Sequence, residues 1–209
     1  IAAAGRGTDV YLFLIGMMLL SEVARAEGLF DFLARHAVGW SGGSPARLFL
    51  IVYVVGTVVT AFMSNDATAV VLTPAVAAAA RTAKVPPLPY LYICAFIANA
   101  ASFVLPISNP ANLVLYGEHM PALPVWLMHF ALPSVLAIVA TYVALRLTQS
   151  KELQGSIEEA DPAGPLSLGG WFAAVGIVAT AIILLIASSL GWQLGLPTFI
   201  AGLAVTVLV

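Results

Sequence analysis

Met63-Ser64-Asn65-Asp66-Ala67-Thr68 is a polar cluster with a carboxylate at its centre, set between residues 48–62 and 70–80, which are almost wholly hydrophobic. In hydrocarbon a carboxylate and unpaired backbone groups each cost several kcal/mol. Such a cluster persists only where it is buried in protein or lines an aqueous cavity. A second cluster follows at Pro106-Ile107-Ser108-Asn109-Pro110-Ala111-Asn112. Two helix-breaking polar interruptions at membrane depth are the expected mark of a transport site.

The arms of the first cluster are short. Residues 48–63 and 67–80 come to about 24 Å and about 21 Å at about 1.5 Å per residue, against a hydrocarbon core of about 30 Å. Their outer ends carry cations, Arg47 on one side and Arg81 and Lys84 on the other, which the positive-inside rule gathers in the cytoplasm. A re-entrant hairpin with its tip, residues 64–66, near the midplane satisfies both facts; two tilted full spans are the alternative. Ser44-Pro45, after a turn at residues 40–43, reads as N-cap and first helical residue of the incoming arm. Thr73-Pro74 predicts a kink in the outgoing one. The spacing then predicts a helix over residues 90–105 that stops at Pro106. Asn99 and Ser102, three apart, are expected to share a face towards the second cluster.

The rest of the chain supports a membrane setting. It is 61% hydrophobic and 9% charged, against roughly 25% charged in soluble domains, and its apolar runs lack the period-2 alternation of strands. An all-α, polytopic integral membrane protein is therefore expected. A net charge of -2 gives no reason to expect a nucleic-acid partner. Residues 10–20, extended to about 24, form the first span, and residues 27–38 an amphipathic helix on the membrane surface with His36 as interfacial decoration. Residues 125–147 form another span, with Trp126 in an interface belt, Pro133 at a bend and His129 near the start. Residues 148–166 read as a polar cytoplasmic linker, 167–190 as a further span, 191–196 as a turn, and Pro197 opens a truncated helix. The single cysteine, Cys94, excludes an internal disulfide and a Cys-rich metal site, and reads as a core residue. No signal peptide is visible and both ends look cut, as for the interior of a longer chain.

The clusters have distinct chemistry. At the first, an ending helix offers free carbonyls that suit a cation, and a starting helix offers N–H groups and the positive end of its dipole. Ser64, Asn65 and Thr68 add neutral donors and acceptors. Asp66 either caps the outgoing helix only, or caps it and also couples transport to an ion or proton. At the second, Pro106 and Pro110 free backbone carbonyls, while Ser108, Asn109 and Asn112 supply hydroxyl and amide groups. This neutral lining suits a small hydroxylated solute or a partly dehydrated cation. No catalytic residue or cofactor is called for, and the sequence does not specify a metal.

Thr8-Asp9-Val10-Tyr11-Leu12-Phe13, residues 54–75 with the first cluster, and Asn99-Ala100-Ala101-Ser102-Phe103-Val104-Leu105 running into the second cluster resemble the arsenical pump membrane protein family, the ArsB/NhaD-type members of the ion transporter superfamily. The likeness covers roughly residues 8–147. It implies arsenite or antimonite efflux across the bacterial inner membrane, driven by protons or by a partner ATPase subunit in the cytoplasm. It also implies an inverted-repeat fold, each repeat with a re-entrant hairpin and an interrupted helix. Residues 1–147 would then be most of the first repeat, and 167–209 the start of the second. Sodium/proton antiporters and sodium-coupled organic-anion carriers fall under the same resemblance; a non-transporting membrane subunit is the alternative from another class.

Overall fold

Ser44 and Pro45 start the helix on which the others are arranged. The Ser44 hydroxyl accepts the Arg47 N–H at 3.3 Å, and α3 (Pro45–Phe62) runs for 18 residues, about 27 Å. In this computed structural model, which describes all residues except 1, 66, 117, 118, 158–163 and 191, the described chain is helical with no strand. Three described helices are long and apolar enough to cross a membrane: α3, α7 (Leu123–Thr148) and α8 (Leu168–Ser189).

After α3 the chain breaks at residues 63–65 and continues as a π-helical segment (Ala67–Leu72) leading into α4 (Thr73–Thr82). Pro74 explains the irregular turn. It has no N–H to donate, and its ring crowds the carbonyl four residues back, so a regular α-turn is not available there. The Thr73 hydroxyl instead donates to the Thr68 carbonyl at 3.0 Å.

The segment doubles back on α3. Thr60 faces Thr68, and Gly56 faces Leu72, so the two arms run antiparallel. The next helix, α5 (Leu88–Ala100), runs parallel to α3: the Tyr90 hydroxyl donates to the Pro45 carbonyl at 3.1 Å, and Gly56 lies against Ile97. Phe49, Tyr53, Leu72, Tyr90, Ile93 and Ile97 fill the core between these three elements. Cys94 is buried among them, the core position expected.

The amphipathic reading of the second helix holds. α2 (Leu29–Trp40) buries Leu29, Phe30, Ala34, Ala37 and Val38 and exposes Asp31 and Arg35. His36 Nδ1 hydrogen-bonds the Phe32 carbonyl of its own helix, and its ring lies tilted against Phe32 and edge-on to Trp40.

Two expectations are revised, and the linker is found to make contacts of its own. The helix predicted over residues 90–105 ends at Ala100. Leu105 is driven to an extended conformation (φ -128, ψ 157) by the following Pro106, and residues 101–105 turn rather than coil. Trp126, expected in an interface belt, is fully buried. Residues 149–157 do not simply hang in solvent: Leu153 and Ile157 are buried, and the Ile157 N–H donates to the Gly43 carbonyl at 2.8 Å.

α1 (Ala2–Ala26) lies alongside α9 (Gly195–Leu208), Asp9 beside Gly195 and Gly16 beside Thr198 and Gly202, so these two run parallel. α7 and α8 keep long apolar faces exposed, among them Leu132, Val139, Val178 and Ile182. In water such faces would be a liability, but in a bilayer they meet a solvent as apolar as themselves.

Candidate functional site

The two polar clusters meet. Ser108, in a short 3-10 turn (Pro106–Ser108), donates its hydroxyl to the Ala61 carbonyl at 2.9 Å and accepts the Leu105 N–H at 3.0 Å. One side chain thus takes a carbonyl near the end of α3 and ties down the turn of the second break. It is completely buried.

Around this joint the first cluster is closed by hydroxyls. Ser64 Oγ accepts the Ala67 N–H at 3.3 Å, the capping role that opens the π segment. Thr60 and Thr68 share a hydrogen bond of 2.8 Å between their hydroxyls, and Thr60 also donates to the Gly56 carbonyl at 2.8 Å. Ser64, Thr60 and Thr68 are buried. Asn65 is partly exposed, yet its Oδ1 is shielded from solvent and has no hydrogen-bond partner among the described residues. An acceptor in that state lacks about 1–3 kcal/mol of hydrogen bonding until a donor arrives. Asp66 lies outside the described residues.

At the second break, Asn112 on α6 (Pro110–Tyr116) donates from Nδ2 to the carbonyls of Ser102 at 3.1 Å and Pro106 at 3.3 Å. A continued helix could not have bonded either carbonyl, because the residues four positions on, Pro106 and Pro110, have no N–H. Asn109 is partly exposed, and its Oδ1 accepts the Ala111 N–H at 2.9 Å, closing the first turn of α6. Ser102 is buried, with its hydroxyl on the Ala98 carbonyl at 2.6 Å.

Ser64, Thr68 and Ser108 therefore share one buried region at the α3 end. Ser102 and Asn112 brace the second break, and Asn65 and Asn109 stand at the margins. Asn99 does not join them: it is exposed and donates to the Ala95 carbonyl of its own helix at 3.2 Å. The expected shared face with Ser102 fails because α5 ends between the two.

Two residues were missed. Thr60 carries the hydroxyl that meets Thr68, and an apolar-run reading passes over it. Trp126 Nε1 donates to the Phe103 carbonyl at 3.0 Å, and its ring stacks on Phe130 and meets Tyr116 edge-on. Its only sequence signal was an indole whose N–H needs a partner once buried.

Helices of membrane-spanning length and composition, with two helix breaks whose described residues join in a buried, hydrogen-bonding region, define a multi-pass integral membrane protein. A family model described as citrate transporter (CitMHS) matches residues 1–209, and the chain belongs to that family. Among curated proteins, it is similar to the arsenical pump membrane protein of Escherichia coli K12, at 30% identity over 142 residues, 66% of this chain and 33% of that protein. It is 25% identical to the uncharacterized transporter Rv2685 of Mycobacterium tuberculosis H37Rv over 142 residues, 68% of this chain and 33% of that one. It is 32% identical to the uncharacterized transporter YfbS of Escherichia coli K12 over 107 residues, 51% of this chain and 17% of that one. The chain spans about a third of the length of the arsenical pump relatives it matches.

Proposed function

We propose that this chain is part of a secondary carrier, not an enzyme, that exports arsenite or antimonite as a neutral hydroxylated solute past the joined breaks. The observation that supports this most is the shielded Oδ1 of Asn65, which has no partner among the described residues and lies in the first break next to Ser64. An acceptor without a partner calls for a donor, which the hydroxyls of arsenous acid supply and a carboxylate does not. The arsenical pump relatives point the same way. The second reading, a sodium-coupled carrier of organic anions, is favoured by the description of the family model. Under it, sodium would satisfy the Asn65 acceptor and the anion would take the N–H groups of the outgoing helix.

Asp66 is the proposed coupling carboxylate, with capping as its alternative role. Energy would come from the proton gradient or from a partner ATPase. In proteoliposomes holding the full-length protein, the export reading expects arsenite accumulation driven by a pH gradient without ATP, insensitive to citrate. Citrate uptake that requires sodium, with arsenite inert, would replace it with the second reading. Asp66→Asn should let arsenite equilibrate while abolishing accumulation. Pumping by that variant with the wild-type pH dependence would leave Asp66 a cap only.

A further inference from the structure

Two acidic side chains near the ends of α1 each reach the N-terminus of a distant helix. Asp9 Oδ1 accepts the Gly195 N–H at the start of α9, at 2.7 Å across 186 positions. At the other end, Ser167 donates its hydroxyl to Glu27 Oε2 at 3.1 Å while accepting the Gly170 N–H at 2.8 Å. Glu27 thereby sits at the start of α8. Neither α8 nor α9 has an acidic residue in its own first turn, and the residue capping α9, Leu194, has no side-chain acceptor. The first N–H of α9 thus takes its acceptor from Asp9 on α1, and Glu27, just after α1, accepts the hydroxyl of Ser167, the residue that caps α8.

The backbone approach between the elements is correspondingly tight. A Cβ at Gly195 would collide with Asp9, one at Gly169 with the Glu27 carboxylate, and one at Gly16 or Gly202 with the facing backbone of α9 or α1. Asp9 and the end of α1 are about 26 Å apart along the helix, close to the roughly 30 Å of a hydrocarbon core. The two contacts therefore sit near opposite membrane faces.

We propose that Asp9 and Glu27 are a pair of clamps that fix α1, α8 and α9 into one rigid body, joining the two ends of this chain across the bilayer. Only the expectation that this body stays fixed while solute binds rests on the transport reading; the clamps themselves do not.

The test uses the full-length protein purified in detergent. Asp9→Asn and Glu27→Gln keep an acceptor oxygen and should melt near the wild-type Tm, whereas Asp9→Leu and Glu27→Leu should each lower it. The two losses should add in the double variant, because the sites lie far apart. Ser167→Ala should lower the Tm less in the Glu27→Leu background than alone. Spin labels at the exposed positions Tyr11 and Ile200 should report one distance with and without arsenite or citrate. Wild-type Tm in both Leu variants, or equal losses for Asn and Leu at position 9, would overturn the clamps. A Tyr11–Ile200 distance that shifts with solute would overturn the rigid body. If a Leu variant does not accumulate, the Asn and Gln variants and the spin-label distance still decide the matter. Failure to transport either solute would count against the carrier reading and leave these Tm results standing.

Discussion

Asn65 and Asn112 are the same residue type and make opposite demands. Both Nδ2 donations of Asn112 are spent on carbonyls of the chain itself. Asn112→Leu should orphan two buried carbonyls and destabilise the protein by about 2–5 kcal/mol. Asn65 Oδ1 bonds nothing among the described residues. Asn65→Ala should therefore leave stability within about 0.5 kcal/mol while transport is lost. Thermal melting and vesicle uptake on both variants check the contrast; wild-type uptake by Asn65→Ala would remove it from the solute path. The sequence showed both asparagines as members of polar breaks, because a polar run amid apolar residues is visible without coordinates. It did not show which of them faces inward to brace the backbone, since that depends on where the turn after α5 places the carbonyls of Ser102 and Pro106.

The elements were legible in proportion to how local their causes are. Ser44 and Pro45 announce α3, and the alternation of Asp31 and Arg35 with Phe30, Ala34 and Ala37 announces α2. The end of α5 was not legible to the residue, because Pro106, which turns Leu105 out of the helix, sits six residues beyond Ala100 and does not forbid a helix at residues 101–104. What holds them in turns is distant: Asn112 and Trp126 take the carbonyls of Ser102, Pro106 and Phe103. Trp126→Phe keeps the stacking on Phe130 but removes the donor to the part-buried Phe103 carbonyl, and should lower stability by about 0.5–1.5 kcal/mol. The π segment has a local cause in Pro74. Pro74→Ala restores an N–H and should let the outgoing arm settle into a regular α-helix, turning Thr68 away from Thr60. Stability should be kept or raised and transport should fall; wild-type uptake by Pro74→Ala would show that the π geometry has no part in the cycle.

At the scale of the molecule, the parallel course of α3 and α5 fixes what the chain between them must do. The Tyr90 hydroxyl on the Pro45 carbonyl brings the starts of both helices to one end. Residues 63–82 return the chain to that end, and the five residues between α4 and α5 can reach no more than about 18 Å. Arg47 and Lys84 consequently belong to the same end of the hairpin, whichever depth its tip reaches. The tip holds the Thr60–Thr68 and Ser108–Ala61 bonds, far from those cations and buried. Cysteines replacing Arg47 and Lys84 in the full-length protein should both react with a membrane-impermeant thiol reagent from the cytoplasmic side of sealed vesicles, and neither from the other. A re-entrant tip further requires that a cysteine at Asn65 stay unlabelled from both sides until the transport path opens. Labelling of Asn65→Cys from the outside at the rate of an exposed loop would make α3 and its partner arm two full spans. Labelling of positions 47 and 84 from opposite faces would break the hairpin itself, and with it the placement of both polar breaks at one depth.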